Sequence, residues 1–245
     1  MRREPRILLA GDAALVVEFG DRIDPALNRE VRELWRALER AAIPGIVEMV
    51  PTYRSLLVCY DPLAIHADDL RARLLETDHH KGELDLGAPR LIDVPTAYGG
   101  EFGPDLAFVA QHAGLTEAEV VQIHAGADYL VYMIGFSPGF PYLGGMSPRI
   151  ATPRLATPRT AIPAGSVGIA QQQTGIYPVE SPGGWQLIGR TPLRLFDAGR
   201  QPPTLFEAGD SIRFVPVGAE EYREIEGQVR DGSWEPGHGL RGGNR

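Results

Sequence analysis

Residues 135 to 189, GFSPGFPYLGGMSPRIATPRLATPRTAIPAGSVGIAQQQTGIYPVESPGGWQLIG, constrain the fold more than any other stretch of the chain. They hold ten glycines and eight prolines but only four charged residues, Arg149, Arg154, Arg159 and Glu180. Glycine opens the left-handed region of backbone space, while proline fixes φ and removes a donor. A segment rich in both turns often and cannot run as a long helix. It is no linker either, because Phe136, Phe140, Tyr142, Leu143, Ile162, Val167, Ile169, Ile176, Tyr177, Trp185 and Ile188 give it the apolar mass of a packed segment. Ordered β-structure with many tight turns is the expectation.

The same inventory limits the chemistry. Between Gly135 and Gly189 there is no His, Cys, Asp or Lys, so neither a Ser-His-Asp arrangement nor a metal site can be built from this stretch alone. Three arginines against one glutamate leave a local balance of +2 in a chain of net charge −8. Guanidinium groups in apolar surroundings grip carboxylates and phosphates bidentately, which points to a pocket for a small anion. The repeat ATPR at 151–154 and 156–159 spaces its arginines by an odd number. On an extended chain Arg154 then faces one way and Arg149 and Arg159 the other, so only part of the set meets one ligand.

Other candidates flank these cations. Phe136, Pro138, Gly139 and Phe140 read as a rigid aromatic wall with backbone amides near Gly135 and Gly139, or else as a structural turn. Gln173, Thr174 and Tyr177 supply uncharged donors and acceptors suited to an amide or lactam, or else cap a turn. His124 is the nearest neutral-pH titrating group on the N-terminal side, and Glu180 is the one acid inside the stretch. Both are candidates for acid-base work; the alternatives are a histidine packed at a helix end and a glutamate paired with arginine.

The rest of the chain reads as two domains and a tail. Residues 5–20 read as two short strands, Asp24-Pro25 starts a helix carrying Leu27, Val31, Leu34, Trp35 and Leu38, and residues 46–60 give two further strands before a second helix. Such a pattern suggests a ferredoxin-like α+β domain over residues 1–86. Thr116 and Glu119 match a capping box that opens a helix ending near His124, and ADYLVYMIGF then runs as a strand into the organising stretch. Residues 190–200 read as another strand, and the many short β segments over 87–225 indicate a closed or half-closed barrel. Residues 226–245 read as a flexible tail.

Several functional classes fall away at this point. The acidic chain shows no basic stripe for nucleic acid, and no apolar run long enough to span a membrane. The N-terminal apolar run is too short for a signal peptide and Cys59 stands alone, so the cytoplasm is the expected compartment. Lys81, the sole lysine, sits between His80 and Gly82 and cannot serve a Walker A loop. If ATP is used, another subunit supplies the phosphate-binding loop.

GFSPGFPYLGG at 135–145, TPRLATPRTAIPAGSVGI at 152–169, QTGIYPVESPGGWQLIGRTP at 173–192 and FEAGDSIRFVPV at 206–217 together resemble a family of 5-oxoprolinase subunits, also called allophanate hydrolase subunit 1. The resemblance implies a cyclophilin-like β-barrel for the second domain. It further implies one subunit of an ATP-dependent hydrolase that opens 5-oxo-L-proline to L-glutamate, inactive without a second 5-oxoprolinase subunit. The expected substrate is thus a small anionic amide or lactam. Two alternatives attach to the same family: inhibition of a sensor histidine kinase, and a part in processing allophanate or urea.

Overall fold

A computed structural model of the chain describes residues 4–80 and 90–234. Two compact units divide between residues 89 and 90, and each has its own apolar core.

The first unit is built from strands β1 (Arg6–Leu9) and β2 (Ala14–Glu18), helix α1 (Pro25–Ala41), strands β3 (Ile46–Pro51) and β4 (Ser55–Tyr60), and helix α2 (Ala67–His80). Asp24 starts α1, its Oδ1 accepting from Ala26 N at 2.8 Å, with Pro25 in the first turn where its missing N–H costs nothing. Ala42 in the left-handed conformation ends it. All four strands pair antiparallel in the order β1-β2-β4-β3. Alternation along β2 and β4 sends Leu15, Val17, Leu56, Val58 and Tyr60 inward against Val31, Leu34, Leu38, Leu70 and Leu74. The element order is β-β-α-β-β-α, whereas a ferredoxin-like unit runs β-α-β-β-α-β. Here a hairpin, not a crossover, supplies the first neighbouring strand. Helix α2 runs on through Asp78, which is buried rather than solvated.

The second unit opens with β5 (Leu91–Tyr98), α3 (Leu106–Ala113), α4 (Glu117–Ala125), β6 (Asp128–Ile134) and β7 (Pro141–Gly144). Thr116 and Glu119 cap α4 reciprocally, in the box that their spacing foretells. After a short 3-10 turn at Pro148–Ile150 come β8 (Arg159–Ile162), β9 (Ser166–Ala170), β10 (Gln173–Ile176), β11 (Ser181–Gly183), β12 (Gln186–Arg190), β13 (Ser211–Pro216) and α5 (Ala219–Asp231). Seven strands form one mixed sheet, β10-β9-β12-β5-β13-β6-β7, in which only β5 and β13 run parallel. Its two edges, β10 and β7, lie against each other, so the sheet curls into a nearly closed barrel. Tyr129, Phe206 and Phe214 are the largest side chains sealed inside.

Two expectations need correction. Of the strand expected over 190–200, only Arg190 is strand, as the end of β12, and the rest forms just an isolated bridge between Phe196 and Thr204. Residues 226–231 are not a tail but the second half of α5, because Tyr222, Ile225 and Val229 make an apolar stripe that straddles position 226 and packs on the barrel. Residues 235–245 and 81–89, which include the expected domain boundary at 86/87, lie outside the described residues. No helix among the described residues is long and apolar enough to cross a membrane.

Candidate functional site

Outside the barrel's main core lies a smaller apolar cluster of Phe140, Ile162, Ala170, Tyr177, Trp185 and Leu187. Phe140 is its hub, with ring centroids 5.2 Å from Tyr142 and 5.8 Å from both Tyr177 and Trp185, all edge-to-face. The loop that delivers Phe140 is tightly folded. Ser137 N donates to Gly135 O at 2.8 Å across Phe136, whose φ is +65°, and Gly135 N donates to Phe140 O at 3.1 Å. A bulky residue held at positive φ in a three-residue turn is strained backbone. Its effect is to leave the Phe136 ring 74% exposed while Phe140 is buried. Gly139, at φ +81°, lies against the chain at 195–196, where an added Cβ would come 2.9 Å from Phe196 Cβ.

A concavity of about 160 Å³ opens over this cluster. Of the residues expected at a site, it brings together Phe136, Phe140, Arg154, Gln173 and Tyr177. Tyr142, Pro182, Gly183, Gly184 and Trp185 complete the lining, and sequence reasoning missed all five. Gly183 has a steric reason to be glycine, since a Cβ there would overlap the Tyr177 hydroxyl. Pockets for drug-sized ligands start near ~300 Å³, so this one suits a compact molecule. A larger hollow of about 350 Å³ beside α1 and α2 in the first unit has Ala37, Ala41 and Ile43 for walls and touches none of the expected site residues.

The three arginines part company. Arg154 lines the pocket and makes no ion pair among the described residues. Arg159 is tied down instead, its Nη2 donating to Asp105 Oδ1 at 2.8 Å, while Asp105 Oδ2 accepts from Leu187 N at 2.7 Å. Arg149 sits exposed on the 3-10 turn, where its charge helps to lower the Glu119 pKa after the two Thr116 hydrogen bonds. The charge on Arg154 reaches both phenols of the pocket. Burial raises the Tyr177 hydroxyl above its usual range, against the pull of a hydrogen bond from the Trp185 backbone N–H and the charges of Arg154 and Arg159. Tyr142 is raised by burial too, again opposed by Arg154. Both phenols stay protonated at neutral pH and act there as hydrogen-bonding groups, not as bases.

His124, Thr174, Glu180, Pro138 and Gly139 are outside the pocket lining. His124 is fully buried among Tyr98, Tyr129 and Phe214. Its Nδ1 lies 2.8 Å from Tyr98 Oη and its Nε2 2.9 Å from Thr174 Oγ1. Because the Thr174 hydroxyl donates to Gly168 O at 3.1 Å, it accepts from His124 Nε2–H, and Nδ1 accepts from Tyr98. Burial pushes the imidazole pKa down to about 3. A neutral ring with both nitrogens engaged ties strands together and is not a base facing substrate. Glu180 is exposed at a bend, and Gly135 N–H is taken by Phe140 O. The pocket lining therefore holds one cation, two phenols and an amide, and no carboxylate or imidazole.

Comparison with known proteins agrees with this two-part architecture. The family model described as carboxyltransferase domain, subdomain C and D, matches residues 5–206. A 5-oxoprolinase subunit from Bacillus subtilis is 44% identical over 228 residues, covering 86% of this chain and 92% of that relative. Among solved structures, a conserved uncharacterized protein of Pyrococcus horikoshii is 49% identical, with 89% of this chain and 100% of that one covered and a TM-score of 0.54. The urea amidolyase of K. lactis is 25% identical with a TM-score of 0.76, covering 95% of this chain but only 16% of that enzyme.

Proposed function

The chain belongs to the carboxyltransferase subdomain C and D family and, within it, to the branch of 5-oxoprolinase subunits, and from that membership we propose that it is one subunit of a heteromeric, ATP-dependent 5-oxoprolinase. The reaction opens the lactam of 5-oxo-L-proline to L-glutamate, water supplying hydroxide to the carbonyl carbon and a proton to the ring nitrogen. One observation carries this reading: Arg154, without an ion pair among the described residues, at an aromatic pocket of about 160 Å³ that also presents the Gln173 amide. A carboxylate suits the guanidinium, and a lactam suits the neutral amide and phenol groups. The saturated ring packs on the faces of Phe140 and Trp185.

Nucleotide does not fit this site. A single arginine and so small a volume cannot seat a triphosphate with its base and sugar, and we assign ATP to the partner subunit. The general base belongs with the partner as well, since the pocket lining contains neither carboxylate nor imidazole. Isolated chains are then inactive, and the working complex is cytoplasmic. The test is to produce the chain alone, its genomic neighbour alone and both together, and to follow ATP-dependent release of glutamate from 5-oxo-L-proline. Activity from the pair and from neither single chain supports the proposal; no activity from the pair sinks it.

The match to urea amidolyase favours a second reading, a part in processing allophanate or urea. Allophanate is likewise a compact anionic amide. Offering it and urea to the same pair of chains separates the two readings by which compound is consumed.

A further inference from the structure

Arg154 is exposed and lies on a segment without regular secondary structure, so something other than a strand or helix must fix its direction. The segment is pinned at both ends. Thr152 and Gln171 exchange backbone hydrogen bonds at 3.2 and 2.7 Å, and Leu155 N donates to Gly184 O at 2.7 Å. Between these clamps Pro153 brings no N–H of its own, and among the described residues no partner meets the Arg154 N–H, so the peptide preceding Arg154 is held through the Pro153 carbonyl. That carbonyl accepts from Gln186 Nε2 at 2.9 Å. Gln186 stands on β12 and is 2% exposed, while its own Oε1 is buried with no partner.

We infer that Gln186 is a positioning residue: it fixes the plane of the Pro153–Arg154 peptide and so aims the Arg154 guanidinium into the pocket. The inference rests on the anion-pocket reading above. Stability alone is a poor reason for this side chain. A buried oxygen without a partner is a cost to the fold, and Pro153 is exposed, so water would satisfy its carbonyl if the glutamine were gone. An unbranched apolar side chain of similar length would pack in β12 without that cost. The amide is instead spent on one peptide plane, that of the one pocket-lining cation.

The experiment is a double-mutant cycle in the co-produced two-subunit enzyme, with 5-oxo-L-proline as the probe: wild type, Gln186→Met, Arg154→Ala and the double variant. We expect Gln186→Met to raise KM roughly three- to ten-fold with kcat unchanged and the melting temperature unchanged or higher, and to add nothing once Arg154 is alanine. Gln186→Leu repeats the measurement should methionine disturb the packing. If Arg154→Ala raises KM while the Gln186 variants do not, or do so equally in both backgrounds, the positioning role is wrong and the anion pocket stands. If Arg154→Ala leaves KM unchanged, the anion-pocket reading falls and takes this inference with it.

Discussion

His124 and Arg154 are both strongly polar groups set against aromatic rings in the second unit, and the fold treats them in opposite ways. Around His124 every hydrogen-bonding position is filled by protein, through Tyr98, Thr174 and, at its backbone carbonyl, Tyr129. Around Arg154 the rings are in place but, among the described residues, no carboxylate is. Satisfied buried polar groups specify a core, whereas a cation left without a counter-charge over an apolar floor has its partner still to come. Titrating chemistry thus marks the structural centre of this barrel and fixed charge marks its candidate site, the reverse of what side-chain reactivity alone suggests.

The comparison is most severely tested by acid. An unfolded imidazole protonates below about 6.5, while buried His124 resists until about 3. Across that window the unfolded chain binds the extra proton, so stability falls as pH falls, by about 1.4 kcal/mol per pH unit and up to about 5 kcal/mol in all. Above pH 6.5 the effect is absent. Denaturant midpoints measured between pH 7 and 3 should therefore drop more steeply in the wild type than in His124→Leu, with the contributions of other groups shared by both proteins. Equal slopes would mean that the ring is hydrated in solution and that the contrast with Arg154 is false.

Next in size come the two arginines, which the sequence presents as twins. Arg159→Ala strips the partner from Asp105, whose side chain is 13% exposed, and should cost about 1–3 kcal/mol of stability on denaturant unfolding. Arg154→Ala should leave stability within about 0.5 kcal/mol. It should instead raise KM for 5-oxo-L-proline in the two-subunit enzyme by roughly ten- to a hundred-fold, the worth of a charged hydrogen bond. Reversed outcomes would place the ligand on the other face of the segment.

What could be read from the sequence, and what could not, follows physical lines. Local signals were clear: Asp24-Pro25 and the Thr116–Glu119 box stand at helix starts, and the density of glycine and proline gives short strands with tight turns. Pairing order was not legible, since a strand's residues carry no mark of which neighbour they meet, and the first unit's strands lie in the order β1-β2-β4-β3. At the site the obstacle was facing. Gln173 and Thr174 are consecutive on β10, so their side chains point to opposite faces, one to the pocket and one to His124. In the sequence Tyr142 and Trp185 read only as packing mass, because an aromatic ring has the same composition whether it fills a core or floors a cavity. The SPGGW turn was the usable signal, as adjacent glycines bring backbone close to whatever the following tryptophan faces.

The smallest effect belongs to Glu180, and it tests where the base comes from. It is the only acid between Gly135 and Gly189, which by elimination made it a candidate. A general base must come within hydrogen-bond reach of the proton it takes, directly or through one water. Glu180 is exposed at the bend before β11 and contributes nothing to the pocket lining, although Pro182, Gly183 and Gly184 just beyond it do. Glu180→Gln should then leave kcat and KM of the two-subunit enzyme unchanged, and stability within about 0.5 kcal/mol. Loss of a general base lowers rates by roughly a hundred-fold or more, far outside assay error. A fall of that size would show that the bend closes over bound substrate and that this chain carries its own base. An unchanged rate is the outcome that the proposed partner-supplied base requires, and a substitution at an acid or histidine of that proposed partner should then abolish turnover.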